Sequence, residues 1–382
     1  MIPLSVPQLK GNEIKYVVDA LQSEWVSTSG NYVTRFEEEM KKYLKVDQTS
    51  ACQSGTAAIH LALKLCGVEK DDEVIVPTLT FIATVNPVKY LGAEPVFMDC
   101  DDTLNIDCDK LACFLQNECK LTTQGLINRH TGRRIKALIV VHIFGNMANL
   151  ETIHQLAKTY QIKLVEDATE ALGTYFTEGL YKGRFAGTIG DFGAYSFNGN
   201  KMITTGGGGM LVAKDPLMVE KARYLSAQAK DDPLYYQHNE IGYNYRMTNL
   251  QAALGVAQLE QLEAFIAVKI KNYNHYKSKI NVASGLSLLA FNPKARNNHW
   301  FYALYLQAER FERDRLMQKL KENKIETRPI WQLIHTQKMY LKNQAYQIEK
   351  APYYLSRVLN LPCSINLKAE EIESITHILG SL

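Results

Sequence analysis

Short apolar runs, each the length of one strand, recur through the first half of the chain with helical spacing between them. This alternation restricts the fold more than any other feature. Glu73-Val74-Ile75-Val76-Pro77 is one such run; Pro95 to Asp99, Ala137 to Phe144 and Ile162 to Val165 are the others. Between them lie segments such as Asn149 to Tyr160, with apolar residues at helical period. Strands alternating with helices imply an α/β domain on a mainly parallel sheet. In such sheets ligands collect beyond the carboxyl ends of the strands. The last run delivers Glu166, Asp167 and Glu170 to that edge, although an acid there serves a turn or cap as readily as a ligand.

Two further stretches stand out against that frame. In SACQSGTAAIHLALKLCG the apolar residues Ala57, Ala58, Leu61, Ala62 and Leu65 are helically spaced, which places Ser54, Gly55 and Thr56 at a helix start. Unpaired N–H groups and the helix dipole favour an anion there, and Ser-Gly-Thr is equally a plain capping sequence. In GDFGAYSFNGNKMITTGGGGM, from Gly190 to Met210, Lys201 lies between a strand-like run and the glycines Gly206 to Gly209. Glycine is tolerated where backbone bends sharply or lies close to something bulky, so the lysine is either presented to a guest or solvated in a turn.

The remaining segments set the organisation. Residues 12 to 23 predict a helix with Asn12 at its cap, and Val33 to Tyr43 a second, with Trp25 in the loop between as a packing anchor or a ligand contact. Residues 117 to 136 are polar and basic and read as a surface excursion with a hairpin around Thr131-Gly132. From Thr248 a helical pattern runs to about Tyr276, long enough to bridge two domains. Strands near Trp300 to Leu306, a helix near Phe311 to Asn323 and a terminal helix from Ala369 complete a smaller unit. The expected division is 1–255, a large domain with an entry segment, and 256–382, a small α+β domain.

A net charge of +3 gives no electrostatic case for nucleic acid, and the apolar runs are far too short to span a membrane. The opening MIPLSVPQLKGNEIK, broken by two prolines and charged, is no secretory leader. Seven cysteines without a CxxC pair argue for buried thiols in a reducing, cytoplasmic setting, and no metal-ligand cluster is read.

A lysine beside glycines, an anion site at a helix start and an acid at a strand edge together suit pyridoxal phosphate. It needs a lysine for its aldehyde, donors for its phosphate and a carboxylate that keeps its ring nitrogen protonated. Lys201 would also carry the proton that moves during amino transfer.

Five stretches carry a resemblance: SGTAAIHLAL (54–63), PTLTFIATVNPV (77–88), EDATEALG (166–173), GDFGAYSFNGNKMITTGGGGM (190–210) and GYNYRMTNLQAALG (242–255). In these the chain resembles the DegT/DnrJ/EryC1/StrS family of sugar-nucleotide aminotransferases. The resemblance implies the aspartate-aminotransferase-type fold, fold type I: a large, mainly parallel seven-stranded sheet domain plus a smaller α+β domain, in a homodimer with shared active sites. It makes Lys201 the covalent anchor and Asp167 the ring-nitrogen partner. Gly55, Thr56 and Ser196 would hold the phosphate, Phe81 would stack on the ring, and Asn244 would reach the neighbouring subunit's phosphate. Glu170 stands where many members have glutamine, next to the cofactor's phenolic oxygen, which changes the local charge.

WVSTSG, SFNGNK and ETRPIWQLIHTQ resemble members that aminate UDP-linked 4-keto-6-deoxy-N-acetylhexosamines on routes to bacillosamine and legionaminic acid. The expected reaction moves the amino group of L-glutamate to C4 of such a sugar. Trp25, Thr28, Ser29, Arg246, Arg328 and His335 are candidate substrate contacts, and Arg246 and Arg328 are equally candidates for structural ion pairs. One rival substrate is the GDP-linked 4-keto sugar used by perosamine synthases. The family's 3-dehydratase branch replaces the lysine by histidine, and Lys201 is present. A non-catalytic regulator on this fold usually carries a DNA-binding domain, for which about a dozen residues before the first helix leave no expected room.

Overall fold

The computed structural model describes residues 1–232, 234–280, 285–308 and 311–380. Helices α1 (Glu13–Gln22) and α2 (Asn31–Leu44) lead to strand β1 (Ser50–Cys52) and helix α3 (Gly55–Leu65). The alternating part follows as β2 (Glu73–Pro77), α4 (Asn86–Tyr90), β3 (Glu94–Met98), α5 (Cys108–Asn117), β4 (Cys119–Thr122), β5 (Gly125–Asn128), β6 (Arg134–Val141), α6 (Leu150–Thr159) and β7 (Lys163–Asp167). After a short strand β8 (Tyr175–Phe176) come β9 (Phe192–Ser196), β10 (Gly209–Ala213) and α7 (Pro216–Ser226). The expected strands therefore form where the apolar runs lie. They are buried on both faces, with α3 packed against β9 and β10, as a helix-covered parallel sheet requires.

The sheet runs β1-β10-β9-β7-β6-β2-β3, seven strands in which β10 alone is antiparallel to its neighbours. Three more strands extend it, giving ten among the described residues. Residues 117–136 form the expected hairpin around Thr131-Gly132, but it is joined to the sheet. β4 and β5 form a hairpin turning at Thr123-Gln124, and β5 pairs with β6, so Thr131-Gly132 is a second turn and the excursion widens the sheet.

The helical pattern from Thr248 is not one helix. A capping box of Thr248 and Gln251 starts α8 (Asn249–Leu259), and α9 (Leu262–Lys279) follows after a break. At the break, buried Glu13 accepts hydrogen bonds from Gln258 and Gln261, and the two helices serve different partners: α8 packs on α1 and α2, α9 on the terminal helix. Apolar residues recur at helical spacing on both sides of the junction, so spacing could not reveal the turn.

Past α9 come β11 (Leu286–Leu288), β12 (Ala295–Arg296), β13 (Tyr302–Leu306), α10 (Arg313–Glu322), β14 (Arg328–Pro329), β15 (Ala345–Tyr346), α11 (Lys350–Leu355), β16 (Val358–Leu361) and α12 (Ala369–Gly380). β11-β13-β16-β14 make a small antiparallel sheet, while β12 pairs with β8. The chain crosses between the two sheets repeatedly. Ile2 bonds to the backbone around Lys324 and Glu326, Ile334 donates to the Thr78 carbonyl, and β15 joins β3. None of the seven cysteines is in a disulfide, and no helix among the described residues is long and apolar enough to cross a membrane.

The glycine run is explained residue by residue. Gly206 has φ +77, Gly207 and Gly208 line a cavity, and a Cβ on Gly209 would stand 2.4 Å from the Ser54 carbonyl carbon. β10 thus begins against the start of α3. Gly209→Ala is expected to destabilise the fold by roughly 2 kcal/mol or more through overpacking, and Gly206→Ala by about 1 kcal/mol through its left-handed backbone. Urea unfolding of both variants checks that order, which a floppy turn would not produce.

Candidate active site

The carboxyl ends of β7 and β9 and the start of α3 meet at a cavity of about 670 Å³, bordered on the far side by Trp300, Phe301, Arg328, Pro329 and Trp331. Ser54 caps α3, its side chain accepting from the Ala57 N–H at 3.0 Å. The N–H groups of Gly55 and Thr56 precede the first intrahelical bond, and both residues line the cavity. A Cβ on Gly55 would come within 2.8 Å of Thr169 and 3.0 Å of Ser196, so only glycine lets these walls close into an anion cradle.

Two adjacent carboxylates leave β7 in opposite directions. Glu166 turns away and is fully buried, accepting from His142 Nε2 at 3.1 Å and from the N–H groups of Gly187, Ile189 and Gly190. Burial pushes its carboxyl up, but these donors outweigh it and hold the group below the usual range. His142 Nδ1 accepts from the Ala148 N–H, so Nε2 carries the proton and donates. Glu166 is therefore a structural acid.

Asp167 turns into the cavity, where its oxygens accept from the Thr84 hydroxyl at 2.7 Å and the Thr169 N–H at 3.1 Å. Thr84 is held in turn by Thr80 at 2.9 Å. No cation lies within ion-pair distance of Asp167 among the described residues, so it is a buried acid prepared for a positive guest.

Lys201 enters from the loop after β9. Its Nζ stands 3.8 Å from Glu170 Oε1 and 4.1 Å from the centre of the Trp300 ring. Burial pulls its ammonium below the ordinary lysine range, with Glu170 and Asp167 opposing. The Trp300 indole is fixed by donating to the Asn200 carbonyl at 2.6 Å and by stacking on Phe301 at 3.9 Å. Glu170 is buried, takes the Phe144 N–H at 2.8 Å on Oε2, and has its pKa pushed up to about 7 by that burial against the pull of Lys201.

This donor set fits pyridoxal phosphate: an anion cradle at a helix start, an acid without a counter-charge, and a lysine with a lowered pKa share one cavity. Ser196 and Phe81 line it too, Phe81 half exposed on its rim. Arg328 lies at the mouth, where it pairs with Glu326 at 2.7 Å.

The other expected contacts do not line this cavity. Arg246 is tied to buried Glu37 at 2.6 Å, which also accepts the Ala51 N–H. His335 bonds Thr78 at 2.5 Å, and burial lowers its pKa. Asn244 is exposed and bridges to Ala227. Trp25 is 60% exposed, its carbonyl held by Asn249, and Thr28 and Ser29 share that loop. Conversely, reading the sequence missed Trp300, Thr84 and Trp331, which do line the cavity. Thr84 stands in the stretch that supplies Phe81, while the sequence presents Trp300 only as the start of a strand.

An α/β sheet with these groups at its carboxyl edge defines a pyridoxal-phosphate-dependent transferase. The model of the DegT/DnrJ/EryC1/StrS aminotransferase family matches residues 7–380, and the chain belongs to that family. It is 37% identical to the putative pyridoxal phosphate-dependent aminotransferase EpsN of Bacillus subtilis over 390 residues, covering 100% of this chain and 96% of the relative. It is likewise 37% identical to the GDP-perosamine synthase of Escherichia coli O157:H7 over 375 residues, covering 97% and 95%. The crystal structure of the aminotransferase TlmJ from Streptoalloteichus hindustanus superposes with a TM-score of 0.89 at 26% identity, covering 100% of this chain and 98% of that one. The protein is an enzyme, a sugar-nucleotide aminotransferase that uses pyridoxal phosphate.

Arg246→Met leaves Glu37 buried beside only the more distant Arg223 at 3.6 Å. Losing one partner of such a pair is expected to cost about 3 kcal/mol. Thermal unfolding together with KM for the sugar nucleotide separates the two roles. A lowered midpoint with unchanged KM marks a structural arginine, and the converse marks a substrate contact.

Proposed function

We propose that the protein transfers the amino group of L-glutamate to C4 of a nucleotide-linked 4-keto-6-deoxyhexose, with Lys201 as the residue that binds the cofactor covalently and moves the proton. The observation that carries this is a largely buried lysine beside Glu170, sharing with Asp167 a cavity that reaches a helix start. Pyridoxal phosphate, when bound, supplies a carbonyl that takes up and returns an amino group and a ring that withdraws electrons. Gly55, Thr56 and Ser196 would hold its phosphate, Asp167 would keep its ring nitrogen protonated, Phe81 would cover a ring face, and Glu170 sits beside the lysine. Lys201 is the amine that would take a proton from one carbon and deliver it to another. Burial lowers its pKa and so favours the neutral form.

The proposed assembly is a homodimer with shared sites in the cytoplasm. Asn244 would then serve the second copy's phosphate, consistent with its exposure outside its own chain's cavity. Arg328, at the mouth, is the candidate contact for a diphosphate or a donor carboxylate.

For the nucleotide, similarity along almost the whole chain to a GDP-perosamine synthase supports GDP-4-keto-6-deoxymannose. The segments WVSTSG, SFNGNK and ETRPIWQLIHTQ support the UDP-linked 4-keto-6-deoxy-N-acetylhexosamine as the second reading. Glutamate added to the holoenzyme is expected to bleach the visible absorption of the bound cofactor, and the correct 4-keto sugar nucleotide to restore it. Recovery with the GDP sugar alone excludes the UDP reading, and recovery with the UDP sugar alone excludes the GDP one. Lys201→Ala is expected to lose both turnover and that absorption; a variant retaining them would overturn the lysine's role.

A further inference from the structure

Glu170 is built into its place with more care than a neighbour of the lysine requires. Its Oε2 is held by the N–H of Phe144, a residue in left-handed backbone at φ +57. Asn298 Nδ2 donates to the Glu170 carbonyl at 2.8 Å and to the Leu172 carbonyl at 2.9 Å, which fixes the loop. Gly145, at φ +83, keeps the facing turn close, since a Cβ there would stand 1.7 Å from Asn298 Oδ1. Oε1 is left without a hydrogen bond among the described residues and faces Lys201 Nζ at 3.8 Å. Nζ, resting on the Trp300 ring, needs only a small rotation of its flexible stem to reach hydrogen-bond distance.

Asp167, which accepts from Thr84 and Thr169, lies beyond ion-pair distance of Lys201, whereas Glu170 is within it. Lys201 and Asp167 are the charged groups that act on Glu170. From the neighbouring turn, His142 is engaged with Glu166, and from the segment of Asn298, His299 packs between Tyr273 and Phe291.

We propose that Glu170 is the proton acceptor for Lys201: the proton passes from Nζ to Oε1, turning ammonium and carboxylate into amine and carboxylic acid, and returns when the lysine is released. The inference rests on Lys201 being the cofactor-binding residue. Glutamine at this position could accept a hydrogen bond from the ammonium but could not take its proton. A carboxyl group that titrates near neutrality is suited to the exchange, because it gains and loses a proton at similar cost.

The test uses the full chain stripped of cofactor, with trace acetic anhydride as the probe, which acylates only neutral amines. Labelling of Lys201 is read by peptide mass across pH. The wild type is expected to show two inflections, the lower from Glu170. Glu170→Gln keeps an acceptor for the Phe144 N–H and removes the carboxylate that favours the ammonium. Its profile is expected to collapse to one step about one unit lower, with roughly tenfold more labelling at pH 7.5. A single wild-type inflection, or a Glu170→Gln profile superimposable on the wild type, overturns the proposal. Borohydride reduction of the holoenzyme tests the underlying reading separately: cofactor fixed to a residue other than Lys201 overturns that reading and the inference with it.

Discussion

Opposed carboxylates at the end of β7 hold the active edge of this protein together. Because side chains alternate along a strand, Glu166 and Asp167 cannot face the same way. One is consumed by the fold and the other is left for the site. Glu166 gathers His142 and the backbone of Gly187 to Gly190, which positions the approach to β9 and therefore the loop that carries Lys201. Hydrogen bonds to a charged group contribute about 1.5–3 kcal/mol each, so removing this acid would leave several buried donors unpaired at once. Asp167 can remain without a counter-ion because its neighbour supplies the rigidity that keeps it aimed.

The same division accounts for what could be read before any coordinates. Glu73 to Pro77 was legible to the residue because apolar runs bounded by turns leave little freedom. Lys201, Asp167, Gly55 and Ser196 lie in the motifs that carry the resemblance, and the fold brings them to one cavity. The break at Glu260 and Gln261 was not legible, since it depends on Glu13, which is far away in sequence. Trp300 escaped for a related reason: its value lies in the face it turns to Lys201, and an indole beside a strand looks the same whether it packs a core or supports a cation. Arg246, which the sequence leaves open between a substrate contact and a structural ion pair, is paired with buried Glu37.

The glycines also separate into distinct tasks. Gly206 supplies a backbone conformation, Gly209 supplies contact between β10 and the start of α3, and Gly207 and Gly208 border the cavity. Gly55 matters most for chemistry, because the absence of its side chain brings Thr169 and Ser196 up to the helix start. Composition alone records four glycines in a row; their geometry records several different constraints.

The repeated crossings between the two sheets have a consequence for how the enzyme chooses its substrate. A hinge works when few connections join two bodies, since each one must absorb the rotation. Here the backbone near Ile2, the Ile334–Thr78 bond and the β15–β3 pairing act as separate staples across the seam, and Leu4 and Ser5 lie in the cavity wall itself. Wide opening and closing would have to break backbone pairing on both sides. Discrimination among sugar nucleotides then falls to the preformed outline of the cavity and to mobile side chains at its mouth, as in a lock with fixed wards.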